Sequence, residues 1–95
     1  MKTIYKYEMP IVDTFCLSLP KDAQILTFQN QRGEPCIWVE VKTENSLEER
    51  TFRVFGTGHE IPENLHLTFI GTIQQETLRL VWHLFEQKYN ERLLS

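Results

Sequence analysis

Gln24-Ile25-Leu26-Thr27-Phe28-Gln29-Asn30-Gln31-Arg32-Gly33-Glu34-Pro35-Cys36-Ile37-Trp38-Val39-Glu40-Val41-Lys42 carries the clearest strand pattern in the chain. Two apolar runs flank Arg32-Gly33-Glu34, where glycine is free to take the left-handed conformation of a tight reversal. Along the second run Cys36, Trp38 and Glu40 alternate with Ile37, Val39 and Val41. That period of two sends successive side chains to opposite faces of a strand. The unit reads as a β-hairpin, Gln24–Gln31 against Pro35–Lys42.

Outward from this hairpin the same rhythm recurs about every ten residues, as in a β-rich domain. Thr3–Glu8 alternates Ile4, Lys6 and Glu8 against Tyr5 and Tyr7, and Pro10 ends the run because it cannot donate to a ladder. Thr14–Leu19 sets Phe15, Leu17 and Leu19 on one face. Thr43–Glu49 is polar and reads as a loop, and Glu49–Phe55 as a strand. Pro62-Glu63-Asn64 reads as a turn before Leu65–Ile73, with Leu65, Leu67 and Phe69 opposite His66, Thr68 and Ile70. Near the end, Leu78, Val81, Trp82, Phe85 and Tyr89 fit a helical stripe, yet Leu78–Phe85 is β-prone on both faces. We read it as a strand after a glycine-free turn at Gln74–Thr77, followed by a short helical tail over Glu86–Leu94. The expected fold is mainly β: an antiparallel sheet, a sandwich or a partly open barrel of about six to seven strands. The β-rich domain is expected over residues 1–86 and a C-terminal tail over 87–95.

Ninety-five residues make one domain near the lower end of what buries a self-sufficient core. With a hydrophobic fraction of 41%, association into a homo-oligomer would bury what one subunit leaves exposed. The formal charge of −3 comes from 10 Lys and Arg against 13 Asp and Glu, and the basic residues are scattered. Nucleic-acid binders carry a clustered basic face, so nucleic acid is not an expected partner. No apolar run has the length of a membrane span or the character of a signal peptide, which points to a soluble cytosolic protein. Cys16 and Cys36 are too few for a disulfide framework and read as buried thiols. No close pair of Cys or His residues suggests a zinc site, and neither metal nor cofactor is expected.

The chemistry-bearing stretch is Phe52-Arg53-Val54-Phe55-Gly56-Thr57-Gly58-His59-Glu60-Ile61-Pro62, an alternating strand that runs into two glycines, a hydroxyl and an imidazole. Glycine permits close backbone approach and leaves amides accessible. Arg53, Thr57 and His59, with the amides of Gly56 and Gly58, are therefore candidate ligands for a small anion, and Trp38 is a candidate stacking surface for a planar group. The competing reading is a tight inter-strand turn tied by a hydrogen-bonded His.

Catalytic patterns are sparse. His66-Leu67-Thr68-Phe69 matches the His-x-Thr-apolar element of two-histidine phosphoesterases, which need two such motifs facing one phosphate. The second would be His83-Leu84-Phe85, which lacks the hydroxyl. The two cysteines have no helix N-terminus to activate them, Ser18 and Ser46 sit in no nucleophile elbow, and Gly56-x-Gly58 lacks the rest of a dinucleotide or phosphate loop. Glu48 and Glu49, as strand neighbours, point to opposite faces.

Ile4-Tyr5-Lys6-Tyr7-Glu8-Met9-Pro10, Cys36-Ile37-Trp38, the Phe-Arg-Val-Phe-Gly-Thr-Gly-His block, Phe69-Ile70-Gly71-Thr72 and Trp82-His83-Leu84-Phe85-Glu86 together resemble a family of small bacteriophage and prophage proteins with no assigned activity. The resemblance runs from about Met1 to Glu86. It departs from the pattern at Glu60, where proline is usual, and in the charged tail. It implies a phage origin, a host-cytoplasmic location and a β-rich domain with Leu78–Phe85 as a strand. On that basis the expected function is a non-enzymatic accessory or counter-defence protein that sequesters a small nucleotide-derived anion. The alternative is a protein–protein inhibitor or adaptor of a host factor, using a sheet edge or the acidic Glu44–Glu49 segment. A phosphodiesterase is third.

Overall fold

The structure, a computed structural model, describes residues 1–88. Seven strands follow one another: β1 (Lys2–Glu8), β2 (Thr14–Pro20), β3 (Gln24–Gln31), β4 (Glu34–Lys42), β5 (Leu47–Gly56), β6 (His66–Gln75) and β7 (Leu80–Lys88). Among the described residues they form two antiparallel sheets, β1-β4-β3 and β2-β5-β7-β6, and no closed barrel. No helix among the described residues is long and apolar enough to cross a membrane.

The β3–β4 hairpin forms as expected, with a tighter turn. Gln31 pairs with Glu34, so the loop is only Arg32-Gly33, and both residues have positive φ (53° and 82°). Two consecutive left-handed residues make the type I′ turn, whose twist matches that of the flanking strands. Ile37, Val39 and Val41 face inward and are fully buried, whereas Trp38 and Glu40 lie on the outer face. Ile25 and Phe28 also pack on the core, although they stand three positions apart and simple alternation would put them on opposite faces. A bulge at Leu26 resolves this: the register shifts between Ile25 and Thr27, and Leu26 projects to solvent.

The four-stranded sheet contributes Leu19, Phe52, Val54, Ile73 and Leu84 to the same core. Leu19, Phe52 and Leu84 have no solvent exposure. Phe15 stacks on Phe52 with ring centroids 5.4 Å apart. β6 carries a second bulge, at Ile70 between Phe69 and Gly71. Before it Leu67 and Phe69 face outward. After it Gly71 and Ile73 turn to the core, so the simple alternation expected for this strand holds only in its first half. Here the sheets touch: a Cβ on Gly71 would lie 3.2 Å from Phe28 Cβ, and Asn30 Nδ2 donates to the Gln74 carbonyl at 2.7 Å.

Several boundaries move. Leu47, Glu48 and Glu49 belong to β5, paired with Pro20, Leu19 and Ser18, so the loop shrinks to Thr43–Ser46. The β6–β7 turn covers Glu76–Arg79; Arg79 takes the left-handed conformation (φ 53°) in place of a glycine, and β7 starts at Leu80. The expected helical tail is corrected over Glu86–Lys88. These residues continue β7 because both neighbours hold them: Glu86 opposes Phe52 and Thr68, Gln87 opposes Thr51 and Leu67, and Lys88 opposes His66. The expected division at 86/87 therefore falls inside a strand. The rest of the tail, 89–95, lies outside the described residues. Cys36 is buried as expected, but Cys16 is exposed on the outer face of β2.

Candidate functional site

Two places bring chemistry together, at opposite ends of the sandwich. The first is the Gly56–His59 turn, where β5 ends and β7 begins. The His59 N–H donates to the Gly56 carbonyl at 3.0 Å, and the Gly56 N–H donates to His59 Nδ1 at 3.1 Å. The imidazole therefore folds back over the glycine: a Cβ on Gly56 would sit 2.8 Å from His59 Cε1. Gly58 has φ 86°, which explains the second glycine. Trp82 lies edge-on to His59, centroids 6.2 Å apart, and its Nε1 donates to Gln75 Oε1 at 2.7 Å. A cavity of about 180 Å³ remains, lined by Gly56, Thr57, His59, Arg79, Leu80, Val81 and Trp82.

This turn gathers Gly56, Thr57 and His59 but not Arg53 or Trp38. Arg53 opposes Phe85 on the outer face of the sheet, roughly 10 Å back along the strand. Its guanidinium lies 5.4 Å from the Phe55 ring centre, and Nη1 reaches Gln87 Oε1 at 3.3 Å. Trp38 belongs to the other sheet, opposite Lys6 and Thr27. The cation and aromatic that do border the turn are Arg79 and Trp82. The Gly56 amide, moreover, is occupied by His59, so the turn satisfies its own polar groups.

His83 and His66 are also separated. His83 faces outward, with Nε2 at 2.8 Å from Thr57 Oγ1 and Nδ1 at 2.9 Å from Thr72 Oγ1. His66 opposes Lys88, on the opposite face and at the far end of the sheet. A phosphate between the two imidazoles would have to pass through the sheet.

The second place is a cleft of about 600 Å³ where the first halves of β3, β5 and β6 meet the end of β7. Its walls include Gln24 and Ile25 from β3, Glu48–Thr51 from β5, Thr68–Ile70 from β6, and Glu86–Lys88 from β7. Glu86 is on the inward face, only 6% exposed, and Arg50 meets it in a two-pronged pair: Nε to Oε2 at 2.6 Å and Nη2 to Oε1 at 2.7 Å. Arg50 Nη1 donates to the Ala23 carbonyl at 2.7 Å, which ties β5 to the start of β3. Lys88 Nζ stands 3.4 Å from Glu86 Oε1 and is largely exposed.

Burial pushes the Glu86 carboxyl up, but the hydrogen bonds and charge of Arg50, helped by Lys88, more than offset this and hold it below the ordinary carboxylate range. Hydrogen bonding to Glu86 raises Arg50, against its own burial. Both groups stay charged near neutrality, so neither shuttles protons there. Sequence reasoning missed this cluster because Arg50 and Glu86 are 36 residues apart. The available signal was a lone charge at an inward position of each strand. Among the described residues no cluster of His, Cys, Asp and Glu could hold a metal ion.

A family model described as a domain of unknown function (DUF7352) matches residues 1–94. No curated protein and no solved structure matches the chain.

Proposed function

The chain belongs to the DUF7352 family, whose description assigns no activity, so its own geometry carries the reading: we propose a non-enzymatic binding protein that holds a small ligand in the inter-sheet cleft. The observation behind this is the cleft, about 600 Å³ and floored by an Arg50–Glu86 pair that stays charged near neutrality. Its volume falls in the range of small-molecule sites, roughly 300–1,000 Å³. Because Arg50 and Glu86 neutralise each other, Lys88 is the cation left to meet a ligand. Thr68, opposite Glu86 on the inward face, supplies a hydroxyl for hydrogen bonding. Glu48, on the same face of β5 as Arg50, opposes a second negative charge. The ligand class is thus a small molecule with one acidic group, such as a nucleotide derivative bearing a single phosphate, and not a polyphosphate. A stoichiometric capture role of this kind fits the phage resemblance, which itself implies no activity.

Native mass spectrometry of the protein purified from a bacterial host, followed by amide chemical-shift titration with a nucleoside monophosphate and an aromatic carboxylic acid, tests it. The expected result is a released small molecule, or saturable shifts centred on Ile25, Arg50, Thr68 and Lys88 that Lys88→Glu abolishes. No ligand and no shifts at the cleft would end the proposal. Shifts centred on Thr57, His59 and Arg79 would move the site to the turn.

A further inference from the structure

β1 is an edge strand: among the described residues it is hydrogen-bonded only to β4. Which of its backbone groups are left over follows from the register. Met9 N–H donates to the Pro35 carbonyl and Thr43 N–H to the Met1 carbonyl, so odd-numbered residues bond to β4. The N–H and C=O groups of Lys2, Ile4, Lys6 and Glu8 therefore point away from the sheet. These four side chains share the outer face with Glu40 and Trp38, their neighbours on β4. Ile4 is 56% exposed and Tyr5 42%. Lys2, Thr3, Ile4 and Glu40 also border a shallow depression of about 500 Å³ beside this edge.

We propose that this edge pairs with the β1 edge of a second copy of the chain, antiparallel and centred on Tyr5, to give one six-stranded sheet across a two-fold axis. An isologous pair needs the same strand to complement itself. Only registers that set even residues opposite even residues satisfy the outward backbone groups. Centred on Ile4, Lys2 would face the partner's Lys6 at both ends. Centred on Lys6, that lysine would face its own copy. Centred on Tyr5, Lys2 faces the partner's Glu8 twice, Ile4 faces the partner's Lys6, whose methylene stem can cover it, and Tyr5 meets Tyr5. The whole of Lys2–Glu8 is used. The lysines that guard an edge against indiscriminate pairing thus leave one register that is favoured by charge. Lys2, which already holds Glu40 at 2.8 Å, would lie between two carboxylates.

Sedimentation equilibrium of the full chain, with two substitutions, decides the matter. The wild type should be a dimer at micromolar concentration. Glu8→Lys places Lys2 opposite a lysine, and Lys2→Glu places Glu8 opposite a glutamate. Each alone should weaken dimerisation about tenfold or more. Mixed together they should form a heterodimer, because the swapped charges then match at both ends. Ile4→Pro should also give a monomer with unchanged circular dichroism, since the N–H it removes makes no bond within the chain. A wild type that remains monomeric up to millimolar concentration overturns the proposal. So does a dimer that ignores all three substitutions, and so does the absence of heterodimer preference in the mixture.

Discussion

Arg50→Met removes three hydrogen bonds at once: two to Glu86 and one to the Ala23 carbonyl. The carboxylate left behind is 8% exposed and retains only Lys88, at 3.4 Å, as a charged partner. Breaking a buried pair by removing one member costs about 3–5 kcal/mol, chiefly because the survivor is charged and dry. A chain of this length has roughly 5–14 kcal/mol of total stability, so the loss is a large share of it. The melting temperature should fall by at least about 12 °C, at roughly 4 °C or more per kcal/mol. Urea unfolding followed by the fluorescence of Trp38 and Trp82 measures it, with the slope expected to stay the same.

The pH dependence distinguishes this cause from simple loss of packing. In the wild type Glu86 sits below its unfolded value of about 4.3, so its contribution is present above that pH and is lost as the pH falls through the lower folded value. In Arg50→Met, burial acts with little opposition and pushes the carboxyl up. The variant's penalty is then full at neutral pH and is relieved as Glu86 takes up a proton on acidification. The gap between the two proteins should narrow between about pH 7 and pH 4. Arg50→Met combined with Glu86→Leu should recover most of the loss, since an apolar pair of similar volume is commonly neutral or better. A single variant within about 1 kcal/mol of wild type, or a gap independent of pH, would show that the pair is effectively solvated and refute the reasoning.

Gly56→Ala should expel the His59 ring and strand the Gly56 N–H, a cost of about 1–3 kcal/mol by thermal unfolding, and His59→Ala should cost a similar amount through the same lost bond. Gly33→Ala puts a side chain at φ 82° in the type I′ turn, so equilibrium unfolding should show a loss of about 1–2 kcal/mol, although the added methyl meets no atom within 4 Å. A thiol reagent should modify Cys16 rapidly in the native protein and Cys36 only on unfolding. Arg53→Ala should leave ligand shifts at the cleft intact, because its guanidinium lies on the other face of the sheet; their loss would return Arg53 to the binding site.

Strand identity was legible wherever an apolar residue recurred every second position between turn formers, as in Ile37-Trp38-Val39-Glu40-Val41. Burial of one face is enough to set such a pattern. What was not legible came from pairing partners. Leu47-Glu48-Glu49 looks like loop because it is polar, yet β2 supplies the ladder that makes it strand. Glu86-Gln87-Lys88 looks helical for the same reason, and two neighbouring strands extend it. The bulges hid the phase of β3 and β6: Ile25-Leu26-Thr27-Phe28 and Phe69-Ile70-Gly71 do not alternate cleanly, and only the register shows which residue is extra. For the site, sequence proximity grouped Arg53 with Thr57 and His59, whereas the rise of the strand parts Arg53 from the turn and His59 folds back over Gly56 toward Trp82. Arg79 and Trp82 reach the same turn from a neighbouring strand, which no local pattern announces.

The two bulges also account for where the cleft is. They fall on the two strands through which the sheets meet, β3 and β6. Beyond them, toward Asn30 and Gln74, the strands close: Gly71 admits Phe28 and the Asn30 side chain bonds across. Before them, the segments Gln24–Ile25 and Thr68–Ile70 line opposite walls of the open space. A bulge adds a residue and sharpens the local twist, so a strand that carries one bends away from its former course. With both bulges at the point of closest approach, the sandwich shuts at one end and opens at the other. The open end cannot be filled by apolar side chains, because Arg50, Glu86 and Thr68 occupy its inward positions. Charge at those positions is costly in a core that has closed and acceptable in one that receives water or a ligand. The pairing of a backbone opening with inward charges is what sets this end apart from an incompletely packed core.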